Sequence, residues 1–112
     1  MSTEIHTGEA LEAFAREHPI ALIWFSGPGC NVCHALRPKV ESLLDEAFPK
    51  AAMALVDCDR DRDLAAQLGI FTIPTAVIWL DGREAQRFAR NFSVNEIRTA
   101  LARPYALCFN HA

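Results

Sequence analysis

The chain has 112 residues, with 11 Lys plus Arg against 14 Asp plus Glu, 51% hydrophobic and 22% charged. That length suits one domain with a core of its own, and the composition is neither low-complexity nor collagen-like. A net charge of −3, with nine scattered arginines and only Lys39 and Lys50 as lysines, argues against a nucleic-acid-tracking face.

Met1 to His6 lacks a basic segment followed by an apolar one, so no signal peptide is expected. No apolar run approaches membrane-spanning length, so no membrane contact is expected. A cytoplasmic monomer is the expectation that follows.

A short strand is predicted around Glu4-Ile5-His6. Thr7 is a candidate N-cap for a helix whose Leu11, Phe14 and Ala15 share one face and which ends near His18-Pro19. Ile20 to Phe25 is an almost unbroken apolar run, which predicts a strand buried on both faces. Ser26-Gly27-Pro28-Gly29 breaks it. Asn31 to Phe48 then carries Leu36, Val40, Leu43, Leu44 and Ala47 at helical spacing, with Pro38 expected to kink the helix.

Ala52 to Cys58 is a second buried strand, and Asp61 to Leu68 is a short helix closed by Gly69. Thr75 to Leu80 is the next strand. Asp81-Gly82 signals a hairpin into Arg83 to Ala89. Ser93 and Glu96 have the spacing of a capping box for a last helix that carries Val94, Ile97 and Leu101 on one face and is expected to stop before Pro104. Strands separated by helices predict parallel crossovers, with the hairpin adding an antiparallel edge. The expectation is one α/β domain over 1–112, with its core about 5–103 and a tail at 104–112.

Of the four cysteines, only Cys30 and Cys33 are close in sequence, as Cys30-Asn31-Val32-Cys33. They open a helix directly after a buried strand. At a helix start the unpaired N–H groups and the macrodipole favour an anion, so the Cys30 thiolate is expected to be stabilised and its pKa lowered. Cys33, one turn on, is near enough to close a disulfide, and the pair can cycle between dithiol and disulfide. Other readings stay open here: two incidental helix cysteines, or zinc or a shared cluster held by Cys30, Cys33 and His34. A third is c-type haem, because Cys30-Asn31-Val32-Cys33-His34 matches C-x-x-C-H. Cys58, at a strand end, reads as a buried structural thiol, and Cys108 as a tail thiol. Asp57 and Asp59 read as turn or capping residues, while His6, His18 and His111 show no constellation.

From about Ile5 to Ala102 the sequence resembles the thioredoxin family. Four features carry the resemblance: the Cys-x-x-Cys, Pro38 five residues after Cys33, Ile73-Pro74-Thr75, and the Asp81-Gly82 turn. The resemblance implies a thioredoxin fold, a three-layer α/β/α domain with a central mixed sheet of four to five strands. It implies a thiol–disulfide oxidoreductase that reduces protein disulfides, with Cys30 attacking and Cys33 resolving. It further implies a cis bond at Pro74, with Ile73, Pro74 and Thr75 binding an extended substrate segment. No cofactor is implied. The partners implied are disulfide-containing proteins and a separate reductase or small thiol as electron donor.

The departures are specific. The family's usual Trp-Cys-Gly-Pro-Cys-Lys is here Gly29-Cys30-Asn31-Val32-Cys33-His34. The family's buried aspartate aligns with Trp24 and its lysine partner with Leu55, which removes a proton acceptor for the resolving thiol. Water or His34 is expected to take that role. A glycine near the substrate groove aligns with Arg90, which narrows the groove or favours an acidic partner. These losses keep a second reading in view, a non-catalytic adaptor that binds a partner through the cis-proline groove.

Overall fold

The computed structural model describes residues 3–109. Nine elements follow one another: β1 (Thr3–Glu4), α1 (Gly8–Glu17), β2 (Ile20–Ser26), α2 (Asn31–Ala47), β3 (Ala52–Asp57), α3 (Arg62–Gln67), β4 (Thr75–Leu80), β5 (Arg83–Ala89) and α4 (Val94–Phe109). The five strands form one mixed sheet in the order β1-β3-β2-β4-β5.

The apolar run of β2 makes it the central strand, and its alternation decides the layers. Ile20, Leu22 and Trp24 face Val40, Leu43 and Leu44 of α2 and Ile97, Leu101 and Tyr105 of α4. Ala21, Ile23 and Phe25 face Leu11 and Phe14 of α1 and Leu64 and Ala65 of α3. The fold is therefore the three-layer α/β/α sandwich expected, with helices covering both faces of the sheet.

The crossover through α3 corrects the expectation of a parallel connection. β1, β3 and β2 run parallel, whereas β4 pairs antiparallel with β2 and β5 antiparallel with β4. The reason is length. At about 1.5 Å per residue, a helix the size of α2 rises about 25 Å and returns the chain to the far end of the sheet, while one the size of α3 rises about 9 Å and cannot. The chain therefore re-enters the sheet at the end where it left, and β4 starts beside the end of β2.

Two caps form as the sequence predicts. Thr7 Oγ1 accepts from the Ala10 N–H at 3.1 Å. The Ser93 N–H donates to Glu96 Oε2 at 2.7 Å, and the Glu96 N–H donates to Ser93 Oγ at 3.2 Å. The first strand is displaced, lying at Thr3–Glu4 with Ile5 buried after it. Pro38 lies inside α2, which continues through it to Ala47.

The larger correction is at the end of the chain. α4 does not stop before Pro104; it runs through it to Phe109. An interior proline removes a helix hydrogen bond and crowds the preceding turn. Packing outweighs this. Tyr105 is buried, its ring meets Phe48 at 5.2 Å and Phe109 at 4.8 Å, and its hydroxyl accepts from the Lys50 N–H at 3.0 Å. Cys108 is thus a half-buried helix residue packed against the core, not a thiol on a loose tail. His111 lies outside the described residues.

Candidate active site at the start of helix α2

β2 delivers the chain to the site. Past Ser26, Gly27 sits where a methyl group would lie 3.2 Å from both Ile73 Cδ1 and Asp59 Oδ2, so the backbone there meets the β3–α3 and α3–β4 loops closely. The Cys30 N–H donates to the Gly27 carbonyl at 3.1 Å, closing the turn, and Cys30 becomes the N-cap of α2.

Cys30 and Cys33 are joined by a disulfide, with Cα atoms 5.3 Å apart. Cys33 is buried against the core formed by α2, α4 and the sheet, and Cys30 is half-buried at its edge. The Cys33 N–H donates to Cys30 Sγ at 3.2 Å. Once the disulfide opens, that donor and the helix start favour negative charge on Cys30. Among the described residues, no group of three or more His, Cys, Asp or Glu could hold a metal ion.

The start of β4 lies at the same end of the sheet, where Thr75 pairs with Phe25 at the end of β2. The Ile73–Pro74 peptide is cis, and Pro74 is buried. Thr75 is buried, pairs with Phe25 of β2, and its hydroxyl donates to the Thr72 carbonyl at 2.7 Å, which holds the loop against the strand. Ile73 and Cys30 both pack, partly buried, against the core cluster that contains Cys33. Residues 43 positions apart are thereby brought to one sheet end.

His34 lies in the first turn of α2, directly after Cys33. Its Nε2 donates to the Pro28 carbonyl at 2.9 Å, bracing the turn before Cys30. Trp24 is fully buried, lies opposite Leu55 in the β2–β3 register and meets the Phe92 ring edge-on at 6.1 Å. Its indole Nε1 is buried with no hydrogen-bond partner among the described residues. The core beneath Cys33 is apolar where the family carries a charge pair.

Other features have no signal in sequence spacing. His6 Nδ1 lies 2.8 Å from Asp61 Oδ2, a pair 55 residues apart. Arg87 donates to the Leu68 and Gly69 carbonyls as well as to Glu84, tying β5 to the end of α3. Asp57 performs the turn role expected of it, its Oδ1 accepting from the Asp59 and Arg60 N–H groups.

Cys58 is half-buried, and its thiol is pushed up from 9.0 to about 11 by burial and by the neighbouring carboxylates of Asp57, Asp59 and Asp61. A thiol rather than a thiolate at neutral pH is unreactive. In the fully reduced chain at pH 8, Cys58 is expected to react with iodoacetamide far more slowly than a cysteine of the unfolded chain. Site-resolved mass spectrometry of a native alkylation time course checks this, and equal rates would refute it. The pH sign follows. The folded chain holds this proton more tightly, so its contribution to stability is whole below 9.0 and is lost as the pH rises to about 11.

The fold and this site define a class, a small α/β domain presenting a redox-active cysteine pair at a helix start beside a cis-proline loop. The Thioredoxin family model matches residues 2–103, and the chain belongs to the thioredoxin family. It is 32% identical over 105 residues to the thioredoxin-like protein YdfQ of Bacillus subtilis, covering 94% of this chain and 93% of that one. It is also 35% identical over 74 residues to a protein disulfide-isomerase of Aspergillus oryzae, covering 65% of this chain but 14% of that much longer protein. Among solved structures it resembles Fasciola hepatica thioredoxin, with a TM-score of 0.81, 29% identity and coverage of 90% and 97% of the two chains. The Cys30–Cys33 couple and the family together make it a thiol–disulfide oxidoreductase in the general sense.

Proposed function

We propose that this protein reduces disulfide bonds in other proteins by dithiol–disulfide exchange. The observation that carries the reading is the Cys30–Cys33 disulfide at the N-cap of α2, with Cys30 at the core edge and Cys33 buried behind it. In the reduced protein, the Cys30 thiolate attacks one sulfur of a substrate disulfide. A Cys30–substrate bond forms, and the other substrate sulfur leaves as a thiolate and takes a proton. Cys33 then loses its proton and attacks Cys30 Sγ. The Cys30–Cys33 disulfide closes, and the first substrate sulfur leaves in turn. The substrate gains two electrons from the protein and two protons from solvent, while the protein releases the Cys33 proton to solvent. An external dithiol, from a reductase or a small thiol, resets the pair.

Ile73, Pro74 and Thr75 position the substrate. The chain beside the cis-proline is at a sheet end, where an extended segment can pair by backbone hydrogen bonds. The His34 Nε2–H bond to the Pro28 carbonyl supports a role in holding the turn, and in this reading the Cys33 proton passes to water. A reducing compartment such as the cytoplasm suits this direction of exchange.

Equilibration in thiol buffers, with the free thiols mass-tagged, tests the reading. A two-electron Cys30–Cys33 couple near roughly −270 mV is the expected result for a reductant, while one near roughly −120 mV would make the protein an oxidant and reverse the proposed direction. If no couple forms at any poise, the exchange mechanism falls, and binding through the cis-proline groove becomes the leading function.

A further inference from the structure

Two residues beside the cis-proline loop are unusual for different reasons. Arg90 adopts φ +65°, a left-handed conformation that non-glycine residues enter only when their surroundings impose it. The surroundings do so here. Phe88 and Phe92 on either side of it turn back to the core, their rings 5.9 Å apart, so the chain between them arches tightly. The arch leaves the Arg90 side chain exposed, and its guanidinium has no hydrogen-bond or ion-pair partner among the described residues. Nearby Arg87, by contrast, is already bonded to Glu84 and two carbonyls.

Phe71, two residues before Ile73, is 86% exposed, and Val32, between the two cysteines, is 60% exposed. These are two of the three large hydrophobic side chains left most open among the described residues. Phe71 and Arg90 line one recess of about 200 Å³, whose remaining wall includes Gly69, Thr72, Thr75 and Arg87. An apolar surface and a free cation therefore share a pocket one step from the substrate loop. The carboxylate of Glu84 is already bonded to Arg87.

We infer that this recess is a specificity subsite for an extended substrate segment carrying a carboxylate side chain beside its disulfide cysteine. This rests on the oxidoreductase reading above. The choice of an acidic partner comes from charge. Arg90 is the unpaired cation at the recess, and a guanidinium takes a carboxylate in a two-point hydrogen bond. The Phe71 ring then covers the apolar stem of that residue or of its neighbour, removing apolar area from water.

The test uses the full-length reduced protein and three disulfide-linked peptides, identical except for Glu, Gln or Lys flanking the cysteine. Bis(2-hydroxyethyl) disulfide serves as a small neutral control. The wild-type protein is expected to reduce the Glu peptide about fivefold to tenfold faster in kcat/KM than the Lys peptide, with the difference mainly in KM and shrinking at high salt. Arg90→Lys keeps much of the preference, Arg90→Gln levels it, and Arg90→Glu inverts it, each preference being the Glu-to-Lys ratio measured within one protein and normalised to that protein's own rate on the neutral disulfide. If the neutral disulfide is reduced but the three peptides react alike, the subsite is overturned and the redox reading stands. If the neutral disulfide is not reduced either, both fall. The peptide comparison needs no variant, so a folding defect at position 90 cannot obscure the answer.

Discussion

A Cys33→Ser variant is expected to stall on its substrate, accumulating a covalent mixed disulfide through Cys30 where the wild-type protein turns over. The expectation follows from the unequal burial of the two sulfurs. Cys30, the N-cap at the core edge, is the sulfur a macromolecular substrate reaches first, while Cys33 is 1% exposed and meets only what is already bound to Cys30. A serine at 33 cannot attack Cys30 Sγ, so the second exchange does not occur. Cys30→Ser is expected to form no adduct and to lose turnover by on the order of 10³-fold or more, since nothing else on the helix supplies the nucleophile. Non-reducing electrophoresis followed by peptide mass mapping separates the outcomes. An adduct mapped to Cys58 or Cys108, or one formed equally by the Cys30→Ser protein, would overturn the assigned roles.

The second large effect is on stability and lies far from the site. Tyr105→Ala is expected to cost about 3 kcal/mol, the lower part of the range for losing a buried aromatic side chain. Tyr105→Phe is expected to cost about 1 kcal/mol, because only the bond to the Lys50 N–H is lost. Urea denaturation with a shared m-value measures both. A loss below 1 kcal/mol for Tyr105→Ala would mean that the helix beyond Pro104 contributes nothing to the core, as the expectation of a loose tail had it. A typical domain has only about 5–15 kcal/mol in hand, so the predicted loss lowers the unfolding midpoint visibly. The comparison of Tyr105→Ala with Tyr105→Phe separates ring packing from the single hydrogen bond.

Much of the architecture was legible because it depends on local pattern. The β2 run, the period of α2 and the Thr7 and Ser93 caps each follow from residues within a turn or two of one another. The β4–β5 hairpin was legible for the same reason, as Asp81 and Gly82 both take the positive φ that such a turn needs. The Cys30–Cys33 pairing was equally local, since three residues at a helix start place the two sulfurs together.

The misses share a cause. Pro104 reads as a stop because a proline opposes helix in isolation, and nothing near it in sequence announces that Phe48 and Lys50 will hold Tyr105 from across the domain. The direction of β4 was hidden because alternation of strand and helix says nothing about whether a helix is long enough to return the chain. Arg90 was identified by its place, but its strained backbone depends on the Phe88–Phe92 contact.

For this protein the amino-acid sequence alone determined the element types, the two-faced burial of the central strand and the placing of two cysteines one turn apart at a helix start, since each is set by side-chain period or by neighbours a few residues apart. Only the tertiary structure decided which groups surround that pair. It brought the cis-proline loop to the sheet end where helix α2 begins, turned His34 to Pro28, left an apolar core around Cys33, and put an unpaired guanidinium and an open phenylalanine on one recess. Those placements come from packing between residues far apart in the chain, where the burial of each depends on where all the others have gone.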